Sequence, residues 1–422
     1  MGGLETPFAS LLERYAAAEP LRLHMPGHGG AGIWGRENLD ITDLPAIEGV
    51  FDWENALQKS QTLAAQAVGA RDCLFSAGGS TLALQGAIWA CVPFEGEVLC
   101  QRQVHKSIAQ VLMLLHAKVR WFNPRSSLPE IGKACAVIVT AETYRGELLP
   151  LRELQDYCKR AGIPLITDNA HGAHLAFFQQ GSRHPLAASC DLVVDSFHKT
   201  LPALTGASVI YAGSDCGKEL LTRVKQGMQV FGSTSPNALI LASIDRARAC
   251  LQKQGEAVLE QTLEALTAFR TALGMQNTVQ GRDPFRLVLR SLGKGKQLYS
   301  ELAARNVVAE AYDEDEVICI PPYGSGKEFF DRLLKVLGQI SLPLEEPWDL
   351  KEDTTPLPAE ALPMFEALQG SWEEVPLHEA EGRVCAEFAG PYPPGVPVLM
   401  PGEQAGQAQL RRLRQTHLRC VK

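Results

Sequence analysis

The sequence predicts an α/β protein whose main domain is a doubly wound, mainly parallel sheet. Between residues 70 and 230, short apolar runs alternate with segments of helical length. Because these runs contain no polar alternation, both faces of each predicted strand should be buried, as happens when helices cover both sides of a parallel sheet. After residue 281 the elements become shorter and less regular, which indicates a smaller α+β region.

The predicted elements follow from hydrophobic period and from Gly and Pro punctuation. In the main domain the apolar runs predict strands at 72–75, 97–100, 134–140, 164–167, 192–194 and 207–211. Helices are predicted at 5–18, 54–69, 80–92, 104–116, 151–161 and 215–229, with one or two long helices in 236–273. The C-terminal region is predicted to contain strands at 285–289 and 317–320, helices near 294–305, 326–339 and 359–369, and a terminal helix.

The 422-residue length suggests two or three domains. We divide the chain into an N-terminal segment at 1–55, a large α/β domain at 56–280 and a smaller α+β region at 281–422. A stretch rich in Pro, Glu and Asp near 341–358 is typical of a linker.

Composition excludes several functional classes. The net charge is −8, and the basic cluster Arg411, Arg412, Arg414 and Arg419 is predicted to be the solvated face of the terminal helix, so no nucleic-acid partner is expected. No stretch reaches the roughly 18 apolar residues of a membrane span, and the N-terminus lacks signal-peptide features. Eleven scattered cysteines without a C-x-x-C pair argue against zinc and favour a reducing cytoplasm.

The first candidate site follows the predicted strand at 72–75, where residues 76–81 (SAGGST) lead into a helix. Ligands of open α/β sheets bind beyond the carboxyl ends of the strands. Small residues such as Gly79 let the backbone approach an anion, and the helix N-terminus with the hydroxyls of Ser80 and Thr81 supplies donors. The segment predicts a phosphate cradle, and a plain N-capped helix explains this motif alone equally well.

The second candidate site follows the predicted strand at 164–167 and has the sequence DNAHGAH at 168–174. An aspartate at a buried strand end, here Asp168, needs a cationic partner. A metal site would use Asp168, His171 and His174, but no further ligand cluster is apparent and we expect no metal. A structural aspartate beside a surface histidine is the simpler alternative.

The third candidate site is Lys199, which follows the predicted strand at 192–194. Ser196, His198 and Thr200 flank it, so its amine is placed for desolvation. Desolvation lowers the pKa of a lysine and frees the amine as a nucleophile. A solvated surface lysine is the alternative, and the strand-end position argues against it.

Together these three sites match the needs of pyridoxal 5′-phosphate (PLP). PLP requires a lysine for a Schiff base, an acid opposite the pyridine nitrogen and an anion site for its phosphate. The chain supplies them in the order phosphate loop, Asp168 and Lys199.

The chain resembles the Orn/Lys/Arg decarboxylases, which are PLP enzymes of fold type I. The most specific match is SFHKTLPALT at 196–205, and weaker matches recur in family order at 24–28, 104–107, 143–146, 168–174, 233–236, 283–287, 391–397 and 401–403. The resemblance covers nearly the whole chain and is to the shorter bacterial members without a wing domain. It implies a sheet of the seven-stranded type and a homodimer with shared active sites, and it allows a higher oligomer.

The resemblance also implies roles for individual residues. Lys199 would carry PLP, Asp168 would pair with the ring nitrogen, and His105 would stack on the ring. Ala170 would pack on the opposite ring face, and Thr143 would lie near the phenolic oxygen. The remaining cofactor contacts are expected from Gly79, Ser80, Thr81, His171, Ser196 and His198, with Ser233 and Thr234 reaching a phosphate across the dimer interface.

The implied reaction is decarboxylation of arginine, lysine or ornithine to an amine of polyamine biosynthesis and CO2. His198 or the released Lys199 would return a proton to Cα. Shorter family members usually take arginine or lysine, which favours these two substrates. Candidate receivers for the basic side chain, by resemblance and by charge, are Glu310, Asp313 and Glu387.

Three departures from the family pattern weaken the transfer of substrate specificity. They are Asn169 in place of an acid, Gly206 in place of a common Gln, and Gln103-Val104 before His105. Two other functions stay open. An aminotransferase could use Arg286 to clamp the substrate carboxylate, and a catalytically silent homologue could act as a regulatory partner.

Overall fold

The computed structural model describes residues 4–32, 35–44, 52–124, 128–275, 281–345 and 356–422. The chain forms two compact units. The first comprises Met1–Cys91 and Ala141–Glu346, and the second comprises Val92–Thr140 and Pro347–Lys422. The division into 1–55, 56–280 and 281–422 stays a prediction, and much of its linker, 346–355, lies outside the described residues.

The strands and α-helices are numbered in chain order. The strands are β1 Asp72–Ser76, β2 Glu97–Gln101, β3 Lys118–Phe122, β4 Val137–Thr140, β5 Leu165–Asp168, β6 Leu192–Asp195, β7 Ser208–Ala212, β8 Leu287–Arg290, β9 Ala311–Tyr312, β10 Glu316–Cys319, β11 Trp372–Pro376 and β12 His417–Val421. The helices are α1 Pro7–Ala17, α2 Trp53–Val68, α3 Gly79–Cys91, α4 Lys106–Leu114, α5 Arg152–Ala161, α6 Phe197–Thr200, α7 Lys218–Phe231, α8 Ala238–Ala272, α9 Gly295–Ala303, α10 Lys327–Leu337, α11 Met364–Gln369 and α12 Gln407–Leu410.

The largest sheet has seven strands in the order β1-β7-β6-β5-β4-β2-β3. Strands β5 and β6 are parallel, as are β2 and its neighbours β3 and β4, whereas β7 runs antiparallel to β1 and β6. Every residue of β5, β6 and β7 is buried, as expected for strands covered on both faces. The predicted fold class is therefore confirmed, including the smaller sheets β8-β10-β9 and β11-β12.

The structure differs from the sequence-based expectations at β3, β9, β11 and β12, and charged residues on strands explain two of these differences. The prediction does not include β3, because Lys118 and Arg120 interrupt its apolar pattern at the edge of the sheet. The predicted terminal helix is wrong, since His417–Val421 is a strand paired with β11. Along it Leu418 and Cys420 are buried while His417 and Arg419 are exposed, which is the period of a strand.

Helices α3 and α7 pack closely against each other at two facing glycines, Gly86 and Gly227. A Cβ atom on Gly227 would lie 2.9 Å from both the Cα and the carbonyl oxygen of Gly86, and a Cβ atom on Gly86 would lie 2.6 Å from Cγ of Met228. Only glycine permits so close an approach. Because α3 begins at the candidate phosphate loop, this contact fixes the position of that helix N-terminus in the first unit.

We predict that Gly227→Ala lowers the free energy of unfolding by about 1–3 kcal/mol, because the added methyl group must displace the backbone of Gly86. Alanine is intrinsically better than glycine in a helix by about 1 kcal/mol, so a net loss isolates the packing effect. The control is Gly217→Ala, at the start of the same helix, where a Cβ would meet no atom within 4 Å. Denaturant unfolding measures both variants, and an unchanged stability of Gly227→Ala would contradict the close contact.

Candidate active site

Asp168 and Lys199 reach the same edge of the sheet from neighbouring parallel strands. Asp168 is the last residue of β5 and is paired in register with Val194 of β6. Strand β6 ends one residue later, and the short helix α6 with Lys199 follows after Ser196. The carboxyl ends of adjacent parallel strands are where α/β proteins bind ligands.

The Lys199 amine lies in a partly buried setting, with Nζ 3.1 Å from Nε2 of His171. Burial lowers the pKa of Lys199 below its usual range, and the carboxylates of Asp168 and Glu310 pull it upward without restoring it. A lysine with a lowered pKa is neutral more often near pH 7 and is a better nucleophile.

Asp168 is buried, with 4% of its surface exposed, and its Oδ1 accepts a hydrogen bond from the Ala170 amide at 3.1 Å. Burial raises the pKa of Asp168, while the nearby Lys199 charge and this hydrogen bond oppose the rise. Within the described ranges no ion pair is formed by this carboxylate. A protonated ring nitrogen placed against it would satisfy the carboxylate and lower its pKa, so the residue fits the PLP requirement.

His198 and Ser196 form a hydrogen-bonded pair beside Lys199. The His198 Nδ1 lies 3.1 Å from the Ala207 carbonyl oxygen and 3.2 Å from Oγ of Ser196. Because a carbonyl oxygen only accepts, Nδ1 carries the proton and Nε2 is left with the lone pair. Burial lowers the pKa of His198, which favours this neutral form.

A backbone hydrogen bond fixes the conformation of the candidate phosphate loop. Gly79 has a φ of +67°, and its amide donates to the Gly206 carbonyl at 2.8 Å. The hydroxyls of Ser80 and Thr81 have no partner in the part of the chain that is described, so they are available to an anion. Gly206 itself has a φ of +93°, which disfavours the Gln common in the family.

A buried network beneath the site involves residues that the sequence analysis did not connect. The Asn169 Nδ2 donates to Oδ1 of Asp195 at 2.7 Å, and Nε2 of His184 lies 3.0 Å from Asp195 Oδ2. All three side chains are buried. An acidic residue at position 169 would face the carboxylate of Asp195, so the amide suits this site. No motif marks His184, and only the structure reveals its role.

Of the three acids considered for the substrate side chain, Glu310 alone faces the Lys199 region. The Tyr144 hydroxyl donates to Oε1 of Glu310, and the Tyr144 ring contacts the His171 ring edge to face, with 4.9 Å between centroids. Asp313 instead accepts the amides of residues 315 and 316. Glu387 accepts the Arg419 amide and the Gln415 side chain within the second unit.

Arg286 is committed to a buried ion pair. Its Nη2 lies 2.6 Å from Oε1 of Glu142, and its side chain is 2% exposed. Asp283 lies beside it and pairs with His174 at 3.1 Å. An aminotransferase would need the Arg286 guanidinium to bind the substrate carboxylate. In this structure the guanidinium is buried and paired with Glu142.

The other expected cofactor residues stay predictions. The Thr143 Oγ1 accepts the amide of residue 147 in a turn, and Ser233 and Thr234 are exposed after α7. His105, in the second unit, immediately precedes α4, with Nδ1 2.8 Å from Oγ of Ser107. A Cβ atom on Gly395 would lie 3.0 Å from the other His105 nitrogen, so the loop at 391–397 lies close to this ring.

The described ranges of the chain contain neither a candidate metal cluster nor a candidate membrane-spanning helix. No group of three or more His, Cys, Asp or Glu side chains in those ranges is arranged to hold a metal ion. None of the helices described there is long and apolar enough to cross a membrane.

The fold is fold type I, which is also the fold of a solved lysine decarboxylase and of a serine palmitoyltransferase with PLP. Residues 6–134 and 126–300 match the sequence profile of the Orn/Lys/Arg decarboxylase major domain, and residues 350–418 match the profile of its C-terminal domain. The chain belongs to the Orn/Lys/Arg decarboxylase family and is a PLP-dependent amino-acid decarboxylase. The cofactor and reaction type expected from the sequence are thereby confirmed.

Known proteins agree with this assignment over nearly the whole chain. An arginine decarboxylase from Bacillus subtilis (strain 168) is 27% identical over 451 residues, covering 94% of this chain and 91% of its own length. The structure of lysine decarboxylase A from Pseudomonas aeruginosa superposes with a TM-score of 0.79 at 19% identity, covering 99% of this chain and 80% of that one. A serine palmitoyltransferase from S. paucimobilis with bound PLP has a TM-score of 0.54 at 14% identity, covering 67% and 75%.

We predict that Lys199 is the lysine that PLP modifies first. Its lowered pKa gives a larger neutral fraction at pH 7 than that of an ordinary surface lysine, so cofactor-free protein treated with one equivalent of PLP and then borohydride should carry the label at Lys199. Peptide mass spectrometry locates the label. Lys199→Ala should abolish both the label and turnover, whereas Lys327→Ala, an exposed lysine on α10, should leave both intact. Label found mainly at other lysines would refute the assignment.

Proposed function

We propose that the protein decarboxylates arginine, with lysine and ornithine as weaker substrates, and that Glu310 receives the basic side chain. The observation that supports this proposal is an exposed carboxylate near Lys199, whose charge partly offsets the lowering of the amine's pKa by burial. Asp313 and Glu387 make local hydrogen bonds instead, which leaves Glu310 as the acid available to a substrate.

Arginine is favoured by the geometry of the acid and by likeness to known enzymes. A guanidinium group can donate two parallel hydrogen bonds to one carboxylate, whereas an ammonium group acts as a point charge. The Tyr144 hydroxyl already bonds Oε1 of Glu310 and can hold the carboxylate in a fixed orientation. By sequence, the arginine decarboxylase of Bacillus subtilis is 27% identical, and the lysine decarboxylase LdcA of Pseudomonas aeruginosa is 23% identical.

The chain's own residues would divide the work as follows. Lys199 binds PLP, Ser80, Thr81 and Ser196 hold its phosphate, and Asp168 keeps the proton on the ring nitrogen. When bound, PLP supplies an electron sink for the pair left behind as CO2 departs. His198, when it carries a second proton on Nε2, or the protonated Lys199 amine would then donate a proton to Cα of the product, because the two residues are adjacent.

We also propose a homodimer with shared active sites. Ser233 and Thr234 are exposed in the segment that follows α7, with the Ser233 hydroxyl bonded only to the amide of residue 235 in the described structure. Hydroxyls exposed in this way can reach a phosphate bound to the partner subunit. His105 would stack on the cofactor ring in this assembly.

The identity of the product tests the proposed reaction directly. The protein supplied with PLP and arginine should release CO2 and the corresponding amine, agmatine, and turnover should be slower with lysine or ornithine. A keto acid in place of CO2 would indicate an aminotransferase, and a protein that binds PLP without turnover would indicate a silent homologue. Either result would overturn the proposal.

We predict that Glu310→Gln raises the KM for arginine by roughly 10–100-fold, because removing one partner of a charge-assisted hydrogen bond costs about 1.5–3 kcal/mol. PLP binding should be unchanged, since Glu310 is not among the proposed cofactor contacts. The matched control is Glu314→Gln, an exposed acid four residues away. Steady-state kinetics with arginine measure the effect. An unchanged KM for Glu310→Gln would show that another group receives the side chain.

A further inference from the structure

Two cysteines of the second unit, Cys385 and Cys420, lie directly opposite each other on antiparallel segments. They form a β-bridge that extends the β11–β12 sheet by one segment, residues 384–386. The flanking hydrogen bonds run from the Ala386 amide to the Arg419 carbonyl and from the Val421 amide to the Val384 carbonyl, both at 2.8 Å. This pattern makes the two cysteines a non-hydrogen-bonded antiparallel pair.

The geometry of such a pair suits a disulfide. In a non-hydrogen-bonded pair the Cα atoms are about 4.5 Å apart and the side chains project from the same face. Disulfides form across Cα separations of about 4.4–6.8 Å. Both cysteines are fully buried and belong to one small core with Val375, Leu399 and Leu418. The thiols therefore share one apolar space between the two segments.

The thiols are reduced in this structure and could be joined by a small movement. The Cys385 Sγ donates to the Glu387 carbonyl at 3.1 Å, so rotation about its Cα–Cβ bond exchanges that hydrogen bond for an approach to Cys420. Cys100, a buried cysteine of the same unit, offers a contrast because its strand partners are Trp121 and Ile138.

We propose that Cys385 and Cys420 form a disulfide when the protein is oxidised. This bond would link strand β12 covalently to the segment at 384–386. With oxidised glutathione, one cysteine thiolate attacks the glutathione disulfide and releases one glutathione. The second cysteine thiolate then attacks the mixed disulfide and releases the other glutathione. In sum, two protein thiols and one oxidised glutathione give one protein disulfide and two reduced glutathione molecules.

The disulfide would close a loop that supports the residues before α4. Within 385–420, the Gly395 carbonyl accepts the Lys106 amide at 2.9 Å, and Oε2 of Glu403 pairs with Nη2 of Arg102 at 2.8 Å. Arg102 also donates to the Pro397 carbonyl at 2.9 Å. Linking the ends of this loop lowers the entropy of the unfolded chain, which stabilises the second unit.

Burial predicts that the reaction is slow. Desolvation raises the pKa of Cys385 and of Cys420, so few thiolates are present at pH 7. The rate of linkage should rise with pH and with conditions that fray the C-terminal strand. An exposed cysteine pair would also react faster at higher pH, but its rate would not depend on fraying of the C-terminal strand.

The experiment oxidises the PLP-bound protein with excess oxidised glutathione, denatures it in an alkylating agent and maps its peptides without reduction. We expect one internal link, between the peptides of Cys385 and Cys420, and a higher midpoint of thermal unfolding that dithiothreitol reverses. Recovery of both cysteines as alkylated or glutathionylated residues, or a link between other cysteines only, would overturn the proposal.

Variants distinguish this pair from general oxidation. Cys420→Ala should lose both the link and the thermal shift, whereas Cys100→Ala, at a buried thiol that faces no cysteine, should keep both. A thermal shift that persists in Cys420→Ala would contradict the proposal. If Cys420→Ala does not fold, the peptide map of the wild-type protein decides alone.

Discussion

The site depends on the burial of the Asp168 carboxylate and the partial burial of the Lys199 amine, where two adjacent parallel strands end. Burial raises the pKa of Asp168 and lowers the pKa of Lys199, so each group is pushed toward its neutral form. Their mutual attraction opposes this, together with the Ala170 amide at Asp168 and the Glu310 carboxylate near Lys199. A cofactor that offers a cationic nitrogen to the acid and an aldehyde to the amine relieves both at once. On the proposed assignment, PLP binding at this site would be favoured because it relieves the cost of burying these two groups.

The buried charges around this pair are bonded to other groups of the protein. Asp195 raises the pKa of Asp168, and its own carboxylate is hydrogen-bonded to the Asn169 side-chain amide and to His184. Burial would raise the pKa of Asp283, but His174 and Arg286 outweigh that effect and lower it to about 2. Asp195 and Asp283 are therefore each bonded to side chains of the protein, whereas Asp168 accepts only the Ala170 amide within the described residues. We propose that its carboxylate faces the cofactor.

Sequence reasoning succeeded where one local pattern determines the structure. Apolar runs without polar alternation located the strands that lead to Asp168 and Lys199, because such runs are typical of strands buried on both faces. Sequence reasoning failed where the secondary structure depends on pairing with another strand. The charged edge strand β3 is stabilised by pairing with β2, and the strand β12 by pairing with β11. His184 has no local signal, since its role exists only through contact with Asp195.

The same limit explains why three acids looked equivalent in the sequence and differ in the structure. Glu310, Asp313 and Glu387 have the same charge, and what separates them is which hydrogen bonds each already makes. Glu310 accepts a single hydroxyl while it remains exposed and near Lys199. If Glu310 receives the substrate side chain, as we propose, a basic side chain neutralises this acid and a neutral side chain leaves its charge uncompensated. Selectivity for basic amino acids would then follow from rejection of the others as well as from attraction.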